Sequence, residues 1–340
     1  MSALNDGYSL IEGRDVLFTL LGIFVTLYAL GELDRSHLSP PSPTPLDTQR
    51  SLIKIRFNVN FNVLLPVLFV ITPFILFATE SLILLPIPHL LFSLNDNTSL
   101  YSQGTTAYFA IGSIVFIFLS VTAKNFPKRI TLLFLSLVMI FLSALGGARG
   151  DFLVGVIVVL LIIIRFKPFK IGALIFLPLF LLSLSYLNIF ADDFVILRRL
   201  SVLGDGNFGL RDVLLYQSID LLAEELKCLI MGCGFNYFQI YYGYNYGMYP
   251  HNIFAEALIT YGIFIGVPLV WLVIVGMVYG FFSYHRYFVY WVLLYFIGIG
   301  LKSGSLLGYT STATLVFFAY LGLSYSRKLY IQLNTRTSDV

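Results

Sequence analysis

The side chains best suited to chemistry in this sequence are a few arginines and one histidine, which stand in two polar intervals between long apolar runs. They are Arg149, Arg198, Arg199, Arg211 and His251. Arginine presents a planar fork of donors that matches the oxygens of a phosphate. A neutral histidine accepts a proton or bonds a hydroxyl near pH 7. These residue types predict an anion site, suited to a pyrophosphate, beside a group that can take a proton.

Each of these residues also has an ordinary explanation. Arg149 stands in Gly-Gly-Ala-Arg-Gly-Asp, where it can pair with Asp151 in a turn between two helices. The other arginines can be solvated loop charges, and His251 can be an interfacial residue. Glu256 follows in the first turns of an apolar run, where an acid is costly and commonly functional, although it can also reach solvent at the helix start. Each residue therefore has a functional and a structural interpretation.

The elements that position these residues are apolar. The 340 residues are 58% hydrophobic and 11% charged, whereas a soluble domain carries about 25% charged residues. So little charge indicates an integral membrane protein of the all-α class, a polytopic bundle of transmembrane helices. The net charge of +3 gives no sign of nucleic-acid binding. No cluster of Asp and His indicates a metal site, and no Walker or Rossmann pattern indicates a nucleotide cofactor.

Runs long enough to approach the thickness of a bilayer predict about nine spans, or ten. They cover residues 16–33, 60–78, 105–123, 130–146, 152–164, 171–190, 253–282, 287–302 and 308–326. The run 82–92 is too short and contains two prolines, so we expect it to be interfacial or re-entrant. The run 253–282 is long for one crossing, and we expect tilt or a bend near Gly266-Val267-Pro268.

The distribution of Lys and Arg predicts the orientation of the spans. With the N-terminus outside and the C-terminus in the cytoplasm, 14 of the 21 basic residues lie on the cytoplasmic side. The outer seven include Arg149, Arg211 and Lys302. The predicted division is then N-terminal spans over 1–190, a large outer loop over 191–252 and C-terminal spans over 253–340. Outer arginines oppose the usual bias, which favours a functional reason for them.

The outer loop itself has internal order. A helical period from Asp212 to Met231 predicts an amphipathic helix that begins near Arg211, where a helix start favours anions. Tyrosines crowd the following segment, either as an aromatic belt at the membrane interface or as a sugar surface. We name Tyr241, Tyr244, Tyr249 and Asn252 as candidate glycan contacts. Cys228 and Cys233 can form a disulfide if the loop is outside the cytoplasm, but at a helix end we favour two unpaired thiols.

In their order, these pieces resemble the O-antigen polymerase and ligase superfamily of bacterial inner-membrane glycosyltransferases. The matching pieces are Gly147-Ala148-Arg149-Gly150, Arg211 at a helix start, Gly232-Cys233-Gly234-Phe235, Pro250-His251-Asn252 and Gly262-Ile263-Phe264-Ile265-Gly266. Arg198 and Gly209 also have a spacing similar to that of the family. The resemblance covers about residues 145–270, and it is most similar to an O-antigen polymerase.

The resemblance implies a metal-independent transfer of glycan from undecaprenyl pyrophosphate at the periplasmic face of the inner membrane, without a cofactor. Arg149, Arg198, Arg199 and Arg211 would bind the pyrophosphate. His251 would orient or deprotonate the acceptor hydroxyl, with Glu256 or Asp205 as the alternative base. Besides the lipid-linked glycan and the bilayer, a chain-length regulator and a flippase of the same pathway are the expected partners.

Two other functions stay open at this point. An O-antigen ligase would share these parts and transfer the glycan to lipid A-core instead; the low charge, modest length and tyrosine-rich loop favour a polymerase. A flippase or exporter of lipid-linked sugars belongs to another class. It would need polar residues through the middle of several spans, lining a path. In this sequence the spans carry little charge, and the polar residues collect on one face.

Overall fold

The structure, a computed structural model, describes residues 61–78, 82–83, 89–90, 92–94, 97–99, 103–166, 210–245, 248–303, 305–306 and 309–337. This part of the chain is built on α-helices, with four short strands after the first helix. The helices are α1 (Phe61–Ala78), α2 (Gln103–Thr122), α3 (Phe126–Leu145), α4 (Arg149–Arg165), α5 (Leu210–Glu224), α6 (Leu226–Met231), α7 (Tyr237–Tyr242), α8 (Ile253–Ser283), α9 (Phe288–Ser303) and α10 (Tyr309–Thr337).

Three helices of the described chain are long and apolar enough to cross a membrane: α2, α3 and α8. The helix α9 is apolar but shorter. This agrees with a membrane protein, whereas the count of about nine spans stays a prediction. The predicted spans 16–33 and 171–190 lie outside the described residues, as do Arg198, Arg199 and Asp205.

The helices α2, α3, α4 and α9 contribute most of the buried core, and α8 and α10 add further side chains to it. Trp291 and Tyr295 of α9 are fully buried. Ser113 of α2 and Ser136 of α3 are buried as well, and their hydroxyls hydrogen-bond to each other at 2.9 Å. A hydroxyl pair of this kind satisfies two polar groups where neither lipid nor apolar side chains offer a partner.

The helix α8 is broken at Gly262, not near Gly266 to Pro268 as the sequence suggested. Gly262 has φ 70° and ψ −179°, and the helix resumes after it. A Cβ on Gly266 would lie 3.2 Å from the Cα of Leu258, so the two parts of α8 pack side by side instead of forming one rod. Residues 263–283 alone span about 31 Å, at about 1.5 Å per residue, which is enough to cross a membrane.

Amides from a distant loop occupy the carbonyls freed by this break. The amide of Cys233 donates to the carbonyl of Ile259 at 2.8 Å, and that of Gly234 donates to the carbonyl of Thr260 at 3.2 Å. Gly232, with φ 78°, crosses Gly262 so closely that a Cβ on either would overlap the backbone of the other. Two glycines at this crossing therefore allow the loop after α6 to cap a helix end that would otherwise be unsatisfied.

The predicted amphipathic helix is two helices, α5 and α6, which meet at Glu225. Leu214, Ser218 and Leu221 are buried, whereas Ile219 and Leu226 are exposed. The outward face of α5 also carries exposed apolar side chains, such as Leu210 and Val213. We call α5, α6, α7 and their connections the platform, because together they lie against α8.

Cys228 and Cys233 form a disulfide within the platform. The expectation of two unpaired thiols is therefore wrong. That expectation assumed a helix end at which the two thiols do not meet. Instead, α6 ends at Met231, and Gly232 turns the chain back. The Cα atoms of the two cysteines are consequently 4.8 Å apart, within the range that a disulfide bridges.

The described residues of the run 82–92 lie in short strands. Leu82–Ile83 (β1) pairs antiparallel with His89–Leu90 (β2), and Phe92–Leu94 (β3) pairs with Asn97–Ser99 (β4). Strands this short cannot cross a membrane.

The two ends of the helix bundle carry different residues. At one end α4 and α8 begin and α9 ends, close enough for the side-chain amide of Asn252 to donate to the carbonyl of Leu301 at 3.0 Å. At the other end Arg165 donates to the carbonyl of Phe281 at 3.3 Å, and the rings of Phe166 and His285 are 5.6 Å apart. Residues assigned to opposite sides by the charge bias thus lie at opposite ends.

Candidate functional site

A cleft of about 260 Å³ opens at the end of the bundle where α4 and α8 begin. Four parts of the chain contribute to it: the start of α4, the start of α5, the residues before α8 and the end of α9. Its lining residues are Arg149, Gly150, Leu153, Arg211, Asp212, Leu215, Pro250, His251, Asn252, Leu301 and Lys302. The structure therefore brings Arg149, Arg211, His251 and Asn252, which the sequence singled out in separate segments, to one place.

Three helices begin at this cleft. Arg149 is the first residue of α4, Arg211 is the second residue of α5, and Asn252 precedes α8. The amino end of a helix carries partial positive charge, which favours an anion nearby. At α4 the preceding residue, Ala148, supplies no side-chain cap. The cleft thus combines helix starts with cationic side chains, an arrangement that suits a phosphate group.

Arg149 is held at the cleft by the turn between α3 and α4, which packs against the first turn of α2. The hydroxyl of Ser143 donates to the carbonyl of Thr106 at 2.9 Å, and the amide of Ala148 donates to the Thr106 hydroxyl at 3.2 Å. Because this turn is buried, α4 begins at a defined point. Arg211 is positioned differently, by α5, whose buried Leu214 and Leu221 belong to the apolar cluster of the platform.

His251 has an unusual backbone and an environment that favours its neutral form. Its φ is 52°, the left-handed region that side chains seldom adopt and that is often found at functional sites. Burial lowers the pKa of His251, and the nearby charges of Arg211 and Lys302 lower it further. Its Nδ1 is buried and has no hydrogen-bond partner in the part of the chain that the structure describes. A neutral imidazole is suited to accept a proton.

Asn252 and Tyr249 flank this histidine. The side-chain oxygen of Asn252 accepts from the amides of Phe254 and Ala255 at 3.0 and 3.1 Å, so it caps α8. The ring centroids of Tyr249 and His251 are 4.0 Å apart. Burial raises the pKa of Tyr249, so its hydroxyl stays protonated. Of the four candidate glycan contacts, Asn252 lines the cleft and Tyr249 contacts the cleft residue His251.

Tyr241 and Tyr244 lie in the platform, not among the residues that line the cleft. The hydroxyl of Tyr241 donates to Glu224 at 2.9 Å. The hydroxyl of Tyr244 exchanges hydrogen bonds with the side chain of Gln217, and its ring stacks on that of Tyr242. The contacts of this part of the tyrosine-rich segment are therefore with the platform itself, which explains its density of rings.

Glu256 also has a place apart from the cleft lining. Its buried carboxylate accepts from the amide of Leu306 at 2.8 Å and from the hydroxyl of Ser305 at 3.1 Å. These bonds fasten the connection between α9 and α10 to the first turn of α8. The hydrogen bonds of Glu256 therefore stabilise the fold, whereas His251 lines the cleft.

Sequence reasoning missed one cation of the cleft and its partner. Lys302, in the last turn of α9, enters the prediction from the sequence only as one of the outer-side charges. Its Nζ lies 2.5 Å from Oδ2 of Asp151, which is 1% exposed. The available signal was an isolated lysine at the end of one apolar run and an isolated aspartate at the start of another, both on the predicted outer side. Asp212 lines the cleft as well.

Among the described residues no group of three or more His, Cys, Asp or Glu side chains lies together as a set of metal ligands. Comparison of the chain with protein-family models, with curated proteins and with solved structures gives no match.

Proposed function

We propose that this chain is an O-antigen polymerase, a metal-independent glycosyltransferase of the bacterial inner membrane. It would join oligosaccharide repeat units carried on undecaprenyl pyrophosphate. The observation that supports this proposal best is the convergence of Arg149, Arg211 and His251 on one cleft at the end of an apolar bundle. In this proposal Arg149 and Arg211 bind the phosphates and His251 accepts the proton, at the level where a lipid headgroup would lie.

In the proposed reaction the bond between the sugar's anomeric carbon and the pyrophosphate oxygen breaks, and a bond to the acceptor hydroxyl forms. Arg149 and Arg211 would stabilise the negative charge that develops on the departing pyrophosphate, an effect of about 3 kcal/mol for one well-placed donor. His251 would take the proton of the acceptor hydroxyl. Arg198 and Arg199, outside the described residues, remain proposed contacts of the same pyrophosphate.

The proposed orientation puts the cleft on the periplasmic side, with the N-terminus periplasmic, the C-terminus cytoplasmic and about nine spans. The disulfide of the platform supports this orientation, because disulfides persist in oxidising compartments.

Deletion of the gene in its native host, followed by electrophoresis of the lipopolysaccharide, tests the proposal. A polymerase deletion leaves a single repeat on the core and removes the ladder. Absence of any attached O-antigen, with polymer still on the lipid carrier, would mean a ligase. Repeats retained in the cytoplasmic leaflet would mean a flippase.

Complementation with variants then tests the site. Arg211→Ala and His251→Ala should fail to restore the ladder. Matched controls are Lys227→Ala, at an exposed cation of α6, and His285→Ala, at the opposite end of the bundle. Both controls should restore it, and immunoblots of the membrane fraction should show equal amounts of all four proteins.

A further inference from the structure

The position of the Lys302 side chain depends on two residues of α4, Gly150 and Asp151. Its side chain passes directly over Gly150, where a Cβ would overlap the lysine's Cδ, Cε and Nζ atoms. Its ammonium then contacts the carboxylate of Asp151 at 2.5 Å. The lysine side chain is 19% exposed and the aspartate only 1%. The ammonium thus lies between a buried carboxylate and the cleft.

This pair can be read as a structural ion pair that happens to adjoin the cleft. Two features indicate that Lys302 also contacts a ligand in the cleft. Lys302 lines the same cleft as Arg149 and Arg211, so three cations from three different helices surround one volume. An ammonium also carries three donors, of which the bond to Asp151 uses one. A lysine in this position can serve the aspartate and an anionic ligand together.

We propose that Lys302 is a third cation that contacts the pyrophosphate of the lipid-linked donor, and that Asp151 is the positioning residue that holds it there. This inference rests on the proposed function, because it assigns a further contact to the same substrate. It extends the proposal to a residue outside the polar intervals, which the resemblance does not include. In this arrangement the buried aspartate fixes the lysine's direction, and the lysine meets the ligand.

The test must separate ligand binding from folding. Lys302→Met alone leaves Asp151 buried without its counter-charge, which destabilises the protein whatever the lysine does. The double variant Asp151→Asn/Lys302→Met removes both charges and this folding penalty. If the pair is only structural, the double variant regains the wild-type affinity. If Lys302 contacts the ligand, thermal stability returns but affinity does not.

Binding is measured on the full-length protein in detergent with farnesyl diphosphate, farnesyl monophosphate and inorganic pyrophosphate as probes. We expect the double variant to unfold near the wild-type temperature and to bind farnesyl diphosphate about tenfold more weakly, the loss expected for one charge-assisted contact. Asp151→Asn alone keeps the lysine, so its affinity for farnesyl diphosphate should fall less than that of the double variant. Lys227→Met, the exposed control, should bind like the wild type.

Each remaining outcome decides between the two proposals. Wild-type affinity in the double variant overturns the inference and leaves the proposed function standing. Failure of the wild-type protein to bind either diphosphate overturns the proposed function together with the inference. Lysine-dependent binding in a protein that makes no polymer supports the inference and overturns only the reaction. Equal losses for farnesyl diphosphate and inorganic pyrophosphate assign the contact to the phosphates, whereas a loss confined to the farnesyl probes overturns it.

Discussion

Gly232 and Gly262 cross backbone against backbone, and each has a positive φ. One lies at the end of α6 in the platform and the other at the break of α8. The crossing connects the part of the molecule that carries Arg211 to the part that carries His251. Because α8 is interrupted there, its carbonyls accept bonds from the platform instead of continuing the helix.

Substitution of Gly232 tests this crossing. In Gly232→Ala the new methyl group meets the backbone of residues 260–262, so we expect thermal and denaturant unfolding to show a loss of about 1–3 kcal/mol beyond backbone strain. Gly234→Ala is the matched control, because Gly234 has φ 85° but nothing within 4 Å of the added Cβ. Equal losses in the two variants would show that the crossing is not tightly packed.

Gly150 offers a second glycine test, directed at the cleft. Gly150→Ala should displace the Lys302 side chain and weaken the binding of farnesyl diphosphate about tenfold, while the helix α4 gains a better helix former. Gly300→Ala in α9 is the control, since its added Cβ would lie at an ordinary 3.6 Å from Ile253. Unchanged affinity in Gly150→Ala would contradict the lysine path described above.

The pH dependence of the reaction should reflect the lowered pKa of His251. Burial and the neighbouring cations disfavour the imidazolium, so the neutral, proton-accepting form persists below the ordinary histidine pKa of 6.5. The acid limb of the rate profile should therefore lie below pH 6.5. Arg211→Gln removes one of these cations, so it should move that limb to higher pH while lowering the rate. A limb that stays in place in this variant would argue against His251 as the titrating group.

Glu256→Gln distinguishes an anchor from a catalytic base. The carboxylate holds Ser305 and Leu306, so loss of its charge should lower the free energy of unfolding by about 1–2 kcal/mol. Turnover should fall by less than about tenfold, since loss of a general base typically costs about 10²-fold or more. Polymer synthesis by purified protein, normalised to folded enzyme, measures the second quantity. A loss of that larger size in stably folded protein would restore Glu256 as a base.

The disulfide is checked by thiol labelling. Without reductant neither Cys228 nor Cys233 should react with a maleimide, even in denatured protein, whereas prior reduction should expose both. Serine substitution of both cysteines removes a short closed loop and should cost about 2 kcal/mol of stability. Labelling of denatured, unreduced protein would contradict the disulfide.

The gathering of Arg149, Arg211 and His251 could be predicted because each stands in a polar interval between apolar runs. The uneven distribution of Lys and Arg between the loops then assigns these residues to the outer side. The pair of Lys302 and Asp151 could not be found in this way, because the two residues are 151 positions apart and neither stands in a distinctive local pattern. Their meeting depends on the packing of α4 against α9.

The position of the break in α8 also could not be predicted from local sequence patterns. Pro268 and Gly266 are the local signals for a bend, yet the helix continues through them. The break lies at Gly262 because amides of residues 233 and 234 take the carbonyls there, and this pairing is visible only in three dimensions. Likewise the rings of Tyr241 and Tyr244 face the platform because Glu224 and Gln217 offer partners for their hydroxyls.

The helix starts at the cleft have a consequence for how an anion would be released. Backbone amides do not titrate, and no side-chain substitution removes them, so part of the attraction persists when a single arginine is replaced. Binding should then weaken in steps with successive substitutions instead of disappearing at the first. Ionic strength acts on dipoles and side-chain charges together. Dissolved salt should therefore displace the bound diphosphate.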